Sequence, residues 1–193
     1  MSKTTIPTAG LADAAVTTAK ITDANITTAK IADDAVTAAK ATGFGKVGQV
    51  ILNVITSGNT AVTGTSFTAS SHLVQITPTA TSSNILLQFN FGQGTQTNNR
   101  VPVFKIYRDI NGGGYSALTN GVDGEPSEQA GTFKASANGQ ITGPCTLSFY
   151  DDPNTTSQCT YKVYFALQDT TGTVNIYGEA NNYGYATAME VLA

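Results

Sequence analysis

Asn84–Phe91 reads NILLQFNF, and its reading decides the fold. Ile85, Leu87, Phe89 and Phe91 fall on every second position, with Gln88 and Asn90 between them. That period of two is the signature of a strand with one face against a core. Working outward, the same texture recurs in QVILNVI (49–55), HLVQIT (72–77), VFKIYRD (103–109) and GTFKASA (131–137). It continues through CTLSFYD (145–151), CTYKVYFALQ (159–168), TVNIYG (173–178) and YATAMEVL (185–192). Gly, Asn, Asp and Ser punctuate these runs, as they do between strands.

No segment has the spacing of a long amphipathic helix. About nine strands with turn signals between them predict an all-β fold, an antiparallel sandwich of jelly-roll type, over residues 45–193. Residues 109–131 are expected to form a surface loop with one short strand near Tyr115–Leu118.

Upstream of Gly45 the pattern changes. Residues 11–40 are three tandem decads, LADAAVTTAK, ITDANITTAK and IADDAVTAAK, and Gly43–Gly45 is the expected joint. Apolar residues recur every five positions, at Leu11, Val16, Ile21, Ile26, Ile31 and Val36. On an α-helix such neighbours are about 140° apart and form no stripe. On a flat strand they alternate faces. The chain must therefore bend within each pentad, with Asp13, Asp23, Asp33, Thr17, Thr27 and Thr37 placed to cap short turns. One buried apolar side chain gives about 2 kcal/mol, while ordering costs about 1–2 kcal/mol for each of five residues. An arm over residues 1–44 thus needs neighbours, and identical chains with the apolar beat turned toward a common axis supply them. A disordered linker and a pentapeptide solenoid are the alternative readings.

Composition excludes several functions. Charged residues are 12% of the chain, net charge is −3, and no clustered basic face suited to nucleic acid can be drawn. No apolar run reaches the ~20 residues of a membrane span. The opening MSKTTIPTAG lacks the layout of a secretory signal, so assembly in a cytoplasm is expected. Cys145 and Cys159 flank FYDDPNTTS and are expected on neighbouring strands, as buried free thiols rather than a bridge.

Motifs for chemistry are missing. His72 stands without local ligands or a nucleophile, and is read as a loop or strand-edge residue. NGGG at Asn111–Gly114 lacks the Lys-Ser/Thr of a phosphate loop. Asp109 with Asn111, and Asp123 with Glu125, suit turns better than calcium. Asp151 and Asp152 are adjacent, point apart and are read as solvated. No catalytic residue, cofactor or metal is expected. Tyr177, Asn181, Asn182 and Tyr183, in YGEANNYGY, are candidate glycan contacts, with packing at an interface or sandwich edge as the alternative.

Taken together, the chain resembles tailed-bacteriophage fibre and decoration proteins. The arm is similar to their I-x-D-x-x-[VI]-T-x-x-K decads. The head is similar to the domain that often follows them, in Gly48–Val50, ITPTATSSNILLQF, Phe104–Asp109, FYDDPNTTS, Thr160–Val163 and Thr187–Val191. The resemblance implies a homotrimer with a tumour-necrosis-factor-like head and a structural or adhesive role in a virion assembled in the bacterial cytoplasm. Its implied partners are phage capsid or tail proteins, reached through the N-terminus, and a host surface glycan. Longer tail fibres carry a large adaptor ahead of the arm; here the extreme N-terminus is expected to attach directly.

Overall fold

The computed structural model describes residues 46–56, 58–95, 102–118, 129–130, 141–168, 172–177 and 184–192, together with Thr17, Ile21, Ile26, Thr27, Ile31 and Ala32. The chain divides into two units, Met1–Phe44 and Gly45–Ala193.

In the first unit, Ile21, Ile26 and Ile31 each sit at a bend of the backbone and are exposed in the single chain. Leu11, Val16 and Val36 lie outside the described residues.

The second unit is all β. Its strands are β1 (Lys46–Ile55), β2 (Thr60–Val62), β3 (Thr68–Ile76), β4 (Asn84–Thr95), β5 (Pro102–Ile110) and β6 (Ser116–Ala117). They are followed by β7 (Gln129–Ala130), β8 (Ile141–Asp151), β9 (Cys159–Leu167), β10 (Val174–Tyr177) and β11 (Gly184–Leu192). Eight expected strands appear, several of them longer than the alternation alone marked. The expected GTFKASA strand lies outside the described residues. β2 and β7 were not expected: three and two residues are too short to display a period.

All pairings are antiparallel. In sheet A, β1 pairs with β11 and β11 with the first half of β4. β10 takes the second half of β4 and passes it on to β2. β8 runs along the other edge of β4, from Ile85↔Asp151 to Thr95↔Ile141. Sheet B has the order β3-β9-β5, with β6 and β7 on the outer side of β5. From β3 to β9 the long strands alternate between the two sheets, which is the wrapping of a jelly roll.

The alternation read in Asn84–Phe91 is what fills the space between the sheets. Sheet A contributes Ile85, Leu87, Phe89, Phe91, Leu147, Phe149, Ala186 and Ala188; sheet B contributes Val74, Phe104, Ile106, Tyr161, Val163 and Phe165. Phe91 meets Phe104 edge-on at 5.4 Å, a favoured aromatic geometry.

Two buried carboxylates organise polar contacts in the sandwich. Asp151 on β8 accepts from Arg108 Nη1 on β5, at 2.9 and 2.8 Å, and from the Tyr161 hydroxyl on β9 at 2.7 Å. Asp151 is therefore buried and paired rather than solvated; Asp152, next to it, is exposed. Glu190 on β11 is also fully buried. It accepts from Thr79 N–H at 2.6 Å, Thr79 Oγ1 at 2.8 Å and Gln49 Nε2 at 2.8 Å. This carboxylate organises the ITPTATSS connection, and a Cβ on Gly48 would stand 2.9 Å from its Oε2.

The cysteines correct one expectation. β8 and β9 are consecutive but belong to opposite sheets, so Cys145 and Cys159 are not cross-strand neighbours. Cys159 lies beside Asp151, six residues along β8 from Cys145, or about 20 Å at strand rise. Both thiols are free and buried. Burial pushes Cys145 up to about 12 and raises Cys159 as well, so neither is a ready nucleophile.

Candidate functional site

The two outer faces of the sandwich differ in kind. On sheet A, register places Val50 opposite Met189, Met189 opposite Leu86, and Leu86 opposite Tyr150. That is one apolar row across four strands. The next rows are Leu52–Thr187–Gln88–Ser148 and Val54–Tyr185–Asn90–Thr146. Val50, Leu52, Val54, Leu86, Tyr150 and Tyr185 are 42–58% exposed in the single chain. No charged side chain interrupts these three rows. Leu86, Gln88, Ser148, Thr187 and Met189 line a shallow depression at the centre. Scattered surface apolar residues are ordinary, but an uncharged face crossed by a continuous apolar row is the kind of surface that partners cover.

The arrangement follows from the sequence strand by strand. In β1 the residues facing the core are Ile51, Asn53 and Ile55, so Val50, Leu52 and Val54 must face away. β1 therefore carries aliphatic residues on both faces, as a strand buried on both sides does. Alternation of hydrophobic and polar residues is a guide only where one face meets water. This face was invisible to it.

Sheet B presents Lys105, Tyr107 and Asp109 from β5, and Thr160, Lys162 and Tyr164 from β9, a mixed aromatic and charged surface. Such a face is stable in water.

Of the expected glycan contacts, Tyr177 is half-buried at the end of β10, opposite Gly92; Asn181, Asn182 and Tyr183 lie outside the described residues. His72 corrects the expectation of a strand-edge residue: it is fully buried on β3. Its ring lies 5.1 Å from Phe91, and a Cβ on Gly184 would overlap its Nε2. Burial lowers its pKa to about 4, opposed only by hydrogen bonding to the Tyr177 backbone. A neutral imidazole in a packed core is a structural part. Asn111, with φ 51°, and Gly112, with φ 77°, form the tight turn after β5, as the turn reading of Asp109 with Asn111 requires. Among the described residues no three His, Cys, Asp or Glu side chains gather as metal ligands.

No family model matches the chain, and no curated protein matches it. Among solved structures it is similar to the structure of infectious bursal disease virus Gx strain, at 10% identity and a TM-score of 0.38 over 75% of this chain. The Gt strain of the same virus gives 11% identity and a TM-score of 0.36 over 76%. A mutant VP2 protein of that virus, in derived T=1 particles, gives 9% and 0.35 over 76%. The chain spans 37%, 39% and 41% of the length of these three proteins.

Proposed function

We propose that the protein is a non-enzymatic structural component of a bacteriophage particle. In this reading it is a homotrimeric fibre or decoration spike, held to capsid or tail by the arm of residues 1–44, with the β head outward. The observation that carries self-association is the uncharged outer face of sheet A. Its six half-exposed apolar side chains are worth about 1 kcal/mol each when covered. Identical copies are the partner always present at matching concentration, and a closed ring gives every subunit the same contacts. The three-fold order and the virion setting rest on the resemblance of the decads and the head. The arm has equal numbers of Lys and Asp, with apolar residues on a five-residue beat, and gains by being sheathed in protein.

Light scattering of the purified full chain tests this. The expected mass is about 60 kDa, three chains of 20.0 kDa. Leu52→Lys with Leu86→Lys should give folded monomers, because both side chains already face away from the core. A monomeric unmodified protein would overturn the reading. For polarity, loss of binding to fibre-less particles on removing residues 1–20 is expected; undiminished binding would make the head the anchor.

A further inference from the structure

Tyrosines gather on the outer face of sheet B. Register sets Lys105 opposite Tyr164 and Tyr107 opposite Lys162, and all four side chains face away from the core. Tyr107 and Tyr164 are thus diagonal neighbours on adjacent strands, a separation that aromatic side chains span. Their rings stack with centroids 3.9 Å apart and planes 28° apart, in van der Waals contact. Past β5 the chain reverses, and the Gly114 N–H donates to Asp109 Oδ1 at 3.3 Å. That reversal brings a third ring, Tyr115, to 5.9 Å from Tyr164 at an interplanar angle of 52°. Burial raises the Tyr115 and Tyr164 phenols, and the nearby Asp109 charge raises both further. Both are therefore neutral phenols at ordinary pH, with an anion beside them.

We propose that Tyr107 and Tyr164 are a site of oxidative cross-linking, taking a one-electron oxidant generated from peroxide as co-reactant. Each phenol gives one electron to the oxidant and one proton to water, leaving a phenoxyl radical. The unpaired electron is shared by the oxygen and by the ring carbons ortho and para to it. The para carbon already carries Cβ, so the rings join through ortho carbons. The two unpaired electrons form one carbon–carbon bond, and the hydrogens on the joined carbons move to the oxygens. Both phenols are restored, the protein has lost two hydrogen atoms, and one hydrogen peroxide has become two waters. Two radicals ordinarily have to meet before either is quenched. Here β5–β9 register holds the partners in contact beforehand, so the meeting becomes an internal step. Distance and charge both select this pair over Tyr115. The Tyr115 ring is 5.9 Å from Tyr164 rather than 3.9 Å, and the Lys162 ammonium lies 5.1 Å from its centroid. A cation facing a ring opposes the loss of an electron from it. The bond would tie β5 to β9 across the outer face and leave the core untouched. It needs a single chain only, and so does not depend on the assembly proposed above.

The test is to treat an isotope-mixed sample of the full chain, light and heavy, with a peroxidase and hydrogen peroxide, then map tryptic peptides by mass spectrometry. Blue biphenol fluorescence should appear, with the peptides holding Tyr107 and Tyr164 joined and two hydrogen atoms lighter than their sum. Joined pairs should be light with light or heavy with heavy. Tyr107→Phe and Tyr164→Phe keep the packing and should each lose the joined pair, whereas Tyr115→Phe should retain it. Absence of the pair in the unmodified chain, a Tyr115–Tyr164 pair in its place, or pairs of mixed isotope would overturn the proposal. The mass by light scattering, read before oxidation, tests the virion reading separately.

Discussion

Asp151 shows what a single residue contributes here. Its carboxylate joins β8 of one sheet to β5 and β9 of the other, with the Tyr161 hydroxyl and the Arg108 guanidinium both spent on it. Burial raises the Tyr161 phenol and the anionic neighbour raises it further, so it stays a donor at every working pH. Asp151→Ala leaves both partners short of an acceptor, and should cost about 3 kcal/mol in denaturant unfolding. His72 gives a pH dependence with a definite sign. Folded, its pKa is about 4; unfolded, it returns to about 6.5. Between those values the unfolded chain binds the extra proton, so stability falls as pH drops from about 6.5 to 4, by up to about 3 kcal/mol. Glu190 acts in the same direction. Burial works to raise its carboxyl, but donors on Thr79 and Gln49 outweigh it and hold the pKa low. Melting temperature followed against pH should flatten over the 4–6.5 window in His72→Leu, leaving the carboxylate contribution. None of these roles was legible beforehand. Sequence showed Asp151 beside Asp152 in a turn-like stretch, while the partners that bury it come from strands on the far sheet.

At the scale of elements, legibility followed physics closely. β4, β8 and β9 alternate because one face meets the core and the other does not, and those strands stand where the sequence puts them. The assignment of strands to sheets did not show. The turn between β8 and β9 looks like a hairpin, yet it crosses the sandwich, which is why the cysteines part company. The uncharged outer face of sheet A was not legible, because β1 shows no alternation, and Tyr107 meets Tyr164 only through β5–β9 register, which a linear reading cannot supply. The arm yields a prediction of its own. Ile21, Ile26 and Ile31 are 39%, 54% and 40% exposed in the single chain, so these three positions of the five-residue beat fill no core of their own chain. Ile21→Asp with Ile26→Asp should lower amide protection along residues 11–40 and leave the melting of the head unchanged. A carboxylate is far costlier to cover than an isoleucine. Unchanged exchange would mean that these side chains meet water in the assembled protein too.

For the whole molecule, the hydrophobic core among the described residues lies within residues 45–193. A 45–193 protein should therefore melt cooperatively, with a denaturant slope in keeping with its size; a broad, non-cooperative transition would show that the head depends on the arm. The position of β11 has a further consequence, for the timing of synthesis. It sits between β1 and β4, yet 128 residues separate the end of β1 from its start. At about 5–20 residues per second, β1 leaves the ribosome on the order of ten seconds before the strand that must lie beside it. Throughout that interval both of its faces and both of its edges are open. A nascent chain with the other strands made still lacks the plank that joins β1 to the rest. Neighbouring polysomes thus display the same bare apolar ribbon side by side, and the cell must keep those ribbons apart until Gly184–Leu192 arrives.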